Sequence, residues 1–191
     1  MLHRRGFIAG LAALSPAAAL AQPASASAAT RALAEGGAVA LMRHAAAPGT
    51  GDPPGFRLGD CSTQRNLSED GRRQAAELGR KLREAGVLVT ELRSSRWCRA
   101  LHTAQLAFPD VPVTPDAALD SFFEGRGNRA QQTEKARALI GSWAGRQGTL
   151  ALVTHQVNIT ALTDIFPAEG EIVVLRPTGP TTITTIGRLR I

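Results

Sequence analysis

The residues Gly37-Ala38-Val39-Ala40-Leu41-Met42-Arg43-His44 decide the fold of this chain. The apolar run 37–42 is short, which is typical of a strand that is buried on both faces of a parallel sheet. An arginine and a histidine follow directly, so they stand at the carboxyl end of that strand. Open α/β sheets bind their ligands at this edge. We therefore expect Arg43 and His44, two side chains suited to handling phosphate, to face a ligand site.

A second predicted strand delivers another histidine to its end. Residues 148–155 read Gly-Thr-Leu-Ala-Leu-Val-Thr-His, and a helix is predicted to begin at Gln156. Because the carboxyl ends of parallel strands meet at one edge of a sheet, His44 and His155 are predicted to share one site.

Two further segments lie between these strands. Residues 91–104 read Glu-Leu-Arg-Ser-Ser-Arg-Trp-Cys-Arg-Ala-Leu-His-Thr-Ala, a strand that turns at Ser94-Ser95 into a helix carrying Arg99 in its first turns. Residues 66–75 read Asn-Leu-Ser-Glu-Asp-Gly-Arg-Arg-Gln-Ala. Ser68 is a suitable N-cap there for a helix over 69–85, which Gly86 ends.

In this order, the four segments resemble the histidine phosphatase superfamily, which is also called phosphoglycerate-mutase-like. The resemblance spans about residues 37–164. Strands and helices also alternate along the whole chain, which independently indicates an α/β fold. We expect a three-layer sandwich, with a mainly parallel central sheet and helices on both faces.

The resemblance implies a role for each matching residue. His44 would be the nucleophile that forms a covalent phosphohistidine, and Arg43 and Arg99 would clamp the phosphoryl oxygens. His155 would donate a further hydrogen bond to those oxygens in the transition state. The family needs no metal or other cofactor, and this sequence offers no carboxylate cluster that suggests one.

The chain departs from the family pattern at two places. The glycine that commonly follows Arg-His is Ala45 here, which removes no chemical group. Ser121 stands near the position at which many members have a glutamate as general acid, so Asp120 and Glu124 are the open alternatives for that role. Without an effective acid, substrates with leaving groups of low pKa would be preferred.

A looser match places Arg65 and Asn66 among further substrate-binding residues. They follow a Gly-, Pro- and Asp-rich loop over about residues 45–64, which is too long for a simple connection and is predicted to form a wall of the pocket.

The amino-terminal region has the features of an export signal. Arg4 and Arg5 precede an apolar stretch and an Ala-Leu-Ala cleavage pattern at 19–21, as in a twin-arginine signal. The predicted organisation is a cleaved signal at 1–21, a disordered leader remnant at 22–34 and a single domain at 35–191. A periplasmic or otherwise exported protein, without stable membrane insertion after signal removal, is the expectation.

The charge is modest and points to no nucleic-acid partner. The formal net charge of the 191-residue chain is +6, and it falls to +4 when Arg4 and Arg5 leave with the signal. A basic excess of this size suits an anionic-substrate pocket. Basic runs, tyrosines and nucleic-acid motifs are absent from the sequence.

Two cysteines leave one structural question open. Cys61 and Cys98 each lie beside a candidate phosphate-binding segment, and in an oxidising compartment they can pair. The alternative is one buried helix thiol and one loop thiol.

Together these features predict an exported, metal-independent phosphatase that acts through His44 on a small-molecule or glycan phosphate, such as an envelope sugar phosphate. The alternatives are a phosphohistidine or acyl phosphate phosphatase, and a non-catalytic phosphate-binding or regulatory protein of the same fold.

Overall fold

The computed structural model describes residues 24–190, which form a six-stranded sheet with flanking helices. The strands are β1 (Ala38–Arg43), β2 (Val89–Ser94), β3 (Val113–Pro115), β4 (Thr149–Thr154), β5 (Ile172–Pro177) and β6 (Ile183–Leu189). The helices are α1 (Ala24–Glu35), α2 (Glu69–Glu84), α3 (Cys98–Ala107), α4 (Arg129–Gly141) and α5 (Gln156–Thr163). The predicted α/β class is confirmed.

The sheet is mainly parallel, as the alternation of elements predicts. Its strand order is β3-β2-β4-β1-β5-β6. Strands β1 to β4 run parallel to their neighbours among themselves, whereas β5 and β6 add an antiparallel hairpin at one edge. The short β3 forms the other edge, where proline is tolerated.

Helices lie on both faces of this sheet. Ala38, Ala40 and Met42 of β1 belong to one hydrophobic cluster, together with residues of α1, α2 and α3. Val39 and Leu41 belong to a second cluster, with residues of α4 and α5. Because successive strand residues point to opposite faces, the two clusters are the two faces of the sheet.

Helix α1 corrects the prediction of a disordered remnant at 22–34. The described part of that segment is helical from Ala24, and the side chains of Ala29 and Leu33 are fully buried against the sheet. Alanine is the strongest helix former, and residues four apart share one helix face, so this alanine-rich segment packs rather than remaining disordered. The predicted export signal at 1–21 lies outside the described residues.

Strand register brings the two histidine-bearing ends together. Arg43 of β1 pairs with Thr154 of β4, and the His44 amide donates to the Thr154 carbonyl at 3.0 Å. On the other side of β4, the Ser95 amide donates to the Val153 carbonyl at 2.9 Å. The ends of β1, β4 and β2 therefore form one continuous edge.

Candidate active site

A pocket lies at this edge, and most of the predicted site residues line it. The imidazole rings of His44 and His155 are buried, with their centroids 5.4 Å apart. The polar residues that line the pocket are Arg43, His44, Thr50, Asp52, Arg65, Arg99, Ser121, Glu124, Arg126, His155 and Gln156.

The ring of His44 is held in one tautomer. Its Nδ1 lies 2.8 Å from the carbonyl oxygen of Ala45, and a carbonyl can only accept, so Nδ1 carries the proton. Burial, together with the positive charge of Arg99, holds the pKa of His44 well below its usual value. His44 is therefore neutral at physiological pH, with a free lone pair on Nε2.

Helices α2 and α3 fix the backbone directly after this histidine. The Ala45 amide donates to Thr103 Oγ1 of α3 at 3.0 Å, and the Ala46 amide donates to Gln74 Oε1 of α2 at 3.0 Å. The Ala46 carbonyl accepts from the Ser68 amide at 3.0 Å. The residues that carry the sequence resemblance in α2 and α3 thus hold the loop that follows β1.

Three arginines surround the histidines. Arg43, Arg65 and Arg99 all line the pocket. Burial lowers the pKa of each one, and nearby carboxylates partly oppose that shift. All three remain cationic at physiological pH, because an arginine is effectively always protonated.

Two of these guanidinium groups have unused donors. The Nε atoms of Arg43 and Arg99 are buried and have no acceptor among the described residues. An uncompensated buried N–H is costly, so an anion with several oxygens is the ligand that suits this pocket.

Asp52 is a site residue that the sequence did not reveal. Its carboxylate, 4% exposed, accepts from Arg99 Nη1 at 2.7 Å and from Arg99 Nη2 at 3.3 Å. It also accepts from Trp97 Nε1 at 2.9 Å and from the Arg65 amide at 3.2 Å. Asp52 therefore fixes the orientation of the Arg99 guanidinium.

The ionisation of Asp52 follows from these contacts. Burial by itself raises the pKa of the carboxyl, but the hydrogen bonds and charge of Arg99, with hydrogen bonds from Trp97 and Arg65, outweigh burial and lower it. An ionised Asp52 is a counterion for Arg99 and has no proton to give.

His155 is linked to Asp120 through Ser95. Ser95 Oγ lies 2.8 Å from His155 Nε2 and 3.3 Å from Asp120 Oδ1. Asp120 also accepts from the Arg96 amide and from Arg96 Nε, each at 2.8 Å. The structure places Asp120 behind Ser95 rather than among the pocket-lining residues, so its carboxylate braces the turn between β2 and α3.

Glu124, the other predicted acid, does line the pocket. Its backbone is left-handed, with φ of 56°, which is uncommon for a residue with a side chain. Its carboxylate faces the Gly51 backbone so closely that a Cβ at Gly51 would lie 2.8 Å from Oε1. The loop after β1 thus accommodates the Glu124 carboxylate through a glycine.

Asn66 is the predicted binding residue that the structure keeps out of the pocket. Its Nδ2 donates to the carbonyls of Cys61 at 2.7 Å and of Gln64 at 3.0 Å. Asn66 therefore shapes the loop, whereas its neighbour Arg65 lines the pocket and donates to the Gly51 carbonyl at 2.8 Å.

The two cysteines are paired, which resolves the open alternative. Cys61 and Cys98 form a disulfide, and the Cys98 amide donates to Gln64 Oε1 at 2.9 Å. Both contacts join the loop after β1 to the start of α3, directly beside Arg99.

A comparison with family models gives a match to the histidine phosphatase superfamily, branch 1, over residues 39–148. This is more than half of the chain. The chain belongs to the histidine phosphatase superfamily. Membership of this superfamily makes the protein a phosphatase, and the pocket at the ends of β1, β4 and β2 is its candidate active site.

Solved structures with the same fold include three phosphatases. The protein histidine phosphatase SixA in complex with tungstate has a TM-score of 0.59 and 15% identity, covering 80% of this chain and 96% of that one. A mycobacterial glucosyl-3-phosphoglycerate phosphatase has a TM-score of 0.58 and 16% identity, covering 78% and 96%. An Entamoeba histolytica phosphoserine phosphatase has a TM-score of 0.57 and 16% identity, covering 81% and 97%. At these identities the likeness shows the fold alone.

Curated protein sequences gave no match to this histidine phosphatase. Between residues 24 and 190, no three or more His, Cys, Asp or Glu side chains are grouped so that they could hold a metal ion. The helices of that same part of the chain include none that is long and apolar enough to cross a membrane.

Proposed function

We propose that this histidine phosphatase hydrolyses a phosphomonoester through a covalent phosphohistidine at His44, without a metal ion. The observation that carries the proposal is the neutral, buried His44 with its proton fixed on Nδ1, facing a pocket that three arginines line. A neutral imidazole offers Nε2 to the phosphorus, and the transfer splits one difficult displacement into two easier ones.

In the first step, His44 Nε2 forms a bond to phosphorus while the bond from phosphorus to the leaving oxygen breaks. Arg43 and Arg99 supply N–H donors to the phosphoryl oxygens, and their buried Nε groups support this role. Ser95 Oγ gives its one proton to the Asp120 carboxylate and therefore accepts from His155 Nε2, so the neutral His155 ring carries its proton on Nε2. In this proposal that N–H is donated to the phosphoryl oxygens when they enter the pocket.

The leaving oxygen takes its proton from Glu124 in this proposal. Of the two sequence candidates, Glu124 lines the pocket, and Asp120 is engaged by Ser95 and Arg96. In the second step, Glu124 as a carboxylate takes a proton from water, which attacks the phosphohistidine and releases inorganic phosphate and neutral His44.

Phosphate release in the presence of a chelator tests this function. The wild-type protein should release phosphate from p-nitrophenyl phosphate, and His44→Ala should abolish that release. Binding of phosphate without any turnover by the wild type would instead support the non-catalytic alternative, and loss of turnover in chelator would contradict metal independence.

Substrates that differ in their leaving group test Glu124. Glu124→Gln should lower kcat/KM for glycerol 3-phosphate by about 10²-fold or more, and for p-nitrophenyl phosphate by much less, because a phenol of low pKa needs little protonation. Asp120→Asn serves as the comparison. An equal loss on both substrates in Glu124→Gln would remove it from the role of acid.

We also propose that the protein is exported and acts on a phosphorylated small molecule or glycan, with an envelope sugar phosphate as one such substrate. The Cys61–Cys98 disulfide supports an oxidising compartment, and the paired Arg4 and Arg5 support twin-arginine export. Replacing both arginines with lysine should retain the protein in the cytoplasm of a bacterial host. Unchanged export of that variant would contradict this route.

A further inference from the structure

Arg126 also lines the pocket. It has no role in the proposed phosphoryl transfer, and it belongs to none of the sequence motifs. It follows the short 3-10 helix Phe123–Gly125 and is half-buried. Its guanidinium lies over the ring of Phe56, with 4.6 Å between Cζ and the ring centroid. The Phe56 ring also stacks on Trp97, with 5.1 Å between the ring centroids. Phe56 thus contacts both Trp97 and Arg126.

This contact places the guanidinium over the ring and leaves its donors free of oxygen acceptors. A guanidinium carries five N–H donors, and the Phe56 ring offers no oxygen or nitrogen acceptor for them. No side-chain or carbonyl oxygen of the described residues accepts from the Arg126 guanidinium, although Glu124 lines the same pocket. Arg126 therefore presents an oriented, unpaired fork to a ligand.

The position of Arg126 indicates which part of a ligand it meets. Arg126 and Ser121 line the catalytic pocket and also line an adjoining groove between the loop after β1 and helix α4. The groove continues to Lys135, an exposed cation that has no ion-pair partner within residues 24–190, whereas Arg96 in the same groove is paired with Asp120. His44 and the three arginines of the phosphoryl site do not line this groove.

We infer that Arg126 and the adjoining groove form a subsite for a second anionic group, a carboxylate or a phosphate, on the leaving part of the substrate. This inference rests on the proposed phosphatase function of the same pocket. A planar guanidinium matches either anion through paired hydrogen bonds, and Phe56 holds it in place. The substrate class is then a phosphomonoester whose organic part is itself anionic.

Matched pairs of ligands test this assignment by binding, independently of turnover. The probes are sorbitol 6-phosphate with 6-phosphogluconate, and glycerol 3-phosphate with 3-phosphoglycerate; each pair exchanges a neutral CH₂OH for a carboxylate. In the His44→Ala protein, titration calorimetry should show tighter binding of the anionic member of at least one pair. Arg126→Ala in that background should reduce this preference by about tenfold or more.

Arg129→Ala is the matched control, because Arg129 is an exposed arginine at the start of α4 that lines a different groove. It should keep the preference for the anionic member. Phe56→Leu should reduce the preference partly, because it removes the aromatic face without removing the charge.

The results separate this inference from the proposed function. Equal binding of both members of both pairs to His44→Ala, or an equal loss for both members in Arg126→Ala, would overturn the subsite. The latter result would make Arg126 a ligand of the transferred phosphoryl group. The ratio of kcat/KM values for each pair in the otherwise wild-type protein, with and without Arg126→Ala, checks the result in a second background. Absence of turnover there, with the binding preference intact, would count against the proposed function alone.

Discussion

Asp52 orients Arg99 in the pocket that we propose to bind the phosphoryl group. It bridges both terminal nitrogens of Arg99, the Trp97 indole and the Arg65 amide from a nearly inaccessible position. We expect Asp52→Asn to lower kcat/KM for p-nitrophenyl phosphate by about 10–100-fold, since an amide nitrogen would meet an Arg99 donor and disorder the clamp.

Steady-state kinetics of the folded variant measures this effect. Asp110→Asn, at an exposed position outside the pocket, is the control and should retain wild-type kinetics. If Asp52→Asn behaved like that control, Asp52 would not position Arg99.

The buried histidines should also make stability depend on pH. The pKa of His44 and that of His155 are held well below the usual value by burial and by Arg99. The unfolded chain therefore binds more protons than the folded one below about pH 6.5, and stability is lost as the pH falls, by up to about 1.4 kcal/mol per pH unit for each histidine. Above about pH 6.5 this contribution is fully present.

Urea unfolding between about pH 5 and pH 7.5 checks this sign. Because His44→Gln removes one of the two groups, it should lose less stability than the wild type on acidification. Parallel pH dependence of the wild type and the variant would show that His44 titrates alike in the folded and unfolded chains.

Individual residues differed in how well the sequence predicted them. His44 and His155 were predictable because a short, continuous apolar run of a buried strand ends at each one. Asp52 and Arg126 lie in loops without periodicity. The contacts that single them out, of Asp52 with Arg99 and of Arg126 with Phe56, join residues that are far apart in the sequence. The sequence indicated only that the loop after β1 forms a wall of the pocket.

The amino end of α2 packs directly against the loop that follows the nucleophile. A Cβ at Gly71 would lie 2.0 Å from the Ala46 carbonyl oxygen, and a Cβ at Gly79 would lie 1.8 Å from that of Ala107 in α3. Both helix glycines therefore permit close backbone approach. We expect Gly71→Ala and Gly79→Ala each to destabilise the protein by about 2 kcal/mol or more, despite the higher helix propensity of alanine.

Only Gly71→Ala should also reduce the activity of the folded protein, because it displaces the loop that carries Ala45 and Ala46. Thermal unfolding and kcat, measured at a temperature at which both variants are folded, separate the two effects. Equal kcat for both variants would show that α2 does not control the site.

Helix boundaries illustrate what local signals can predict. The predicted range 69–85 of α2 agrees closely with Glu69–Glu84, because Ser68 caps the helix and Gly86 ends it. Helix α1 was missed because its alanine-rich composition resembles a leader remnant, and only packing on the sheet distinguishes the two. Local capping is readable from sequence, whereas docking of a helix depends on the rest of the fold.

At the scale of the whole molecule, the Cys61–Cys98 disulfide joins the loop after β1 to the start of helix α3. It closes a loop across a sequence separation of 37. Replacing both cysteines with serine should lower the free energy of unfolding by about 2–4 kcal/mol, because the unfolded chain regains loop freedom. It should also lower kcat/KM, since the loop that carries Asp52 and Arg65 is then less firmly held against α3. Urea unfolding and kinetics, with and without dithiothreitol, measure both effects. Full stability and activity of the reduced wild-type protein would contradict this structural role.

Trapping the phosphoenzyme shows whether His44 is the nucleophile. Wild-type protein and His44→Ala would be mixed with acetyl phosphate, quenched rapidly at alkaline pH and analysed by intact-mass spectrometry. We predict a single added phosphoryl group in the wild type that is lost in acid, as a phosphohistidine is, and no adduct in His44→Ala. An adduct of the same stability in both proteins, or turnover by His44→Ala, would contradict that role.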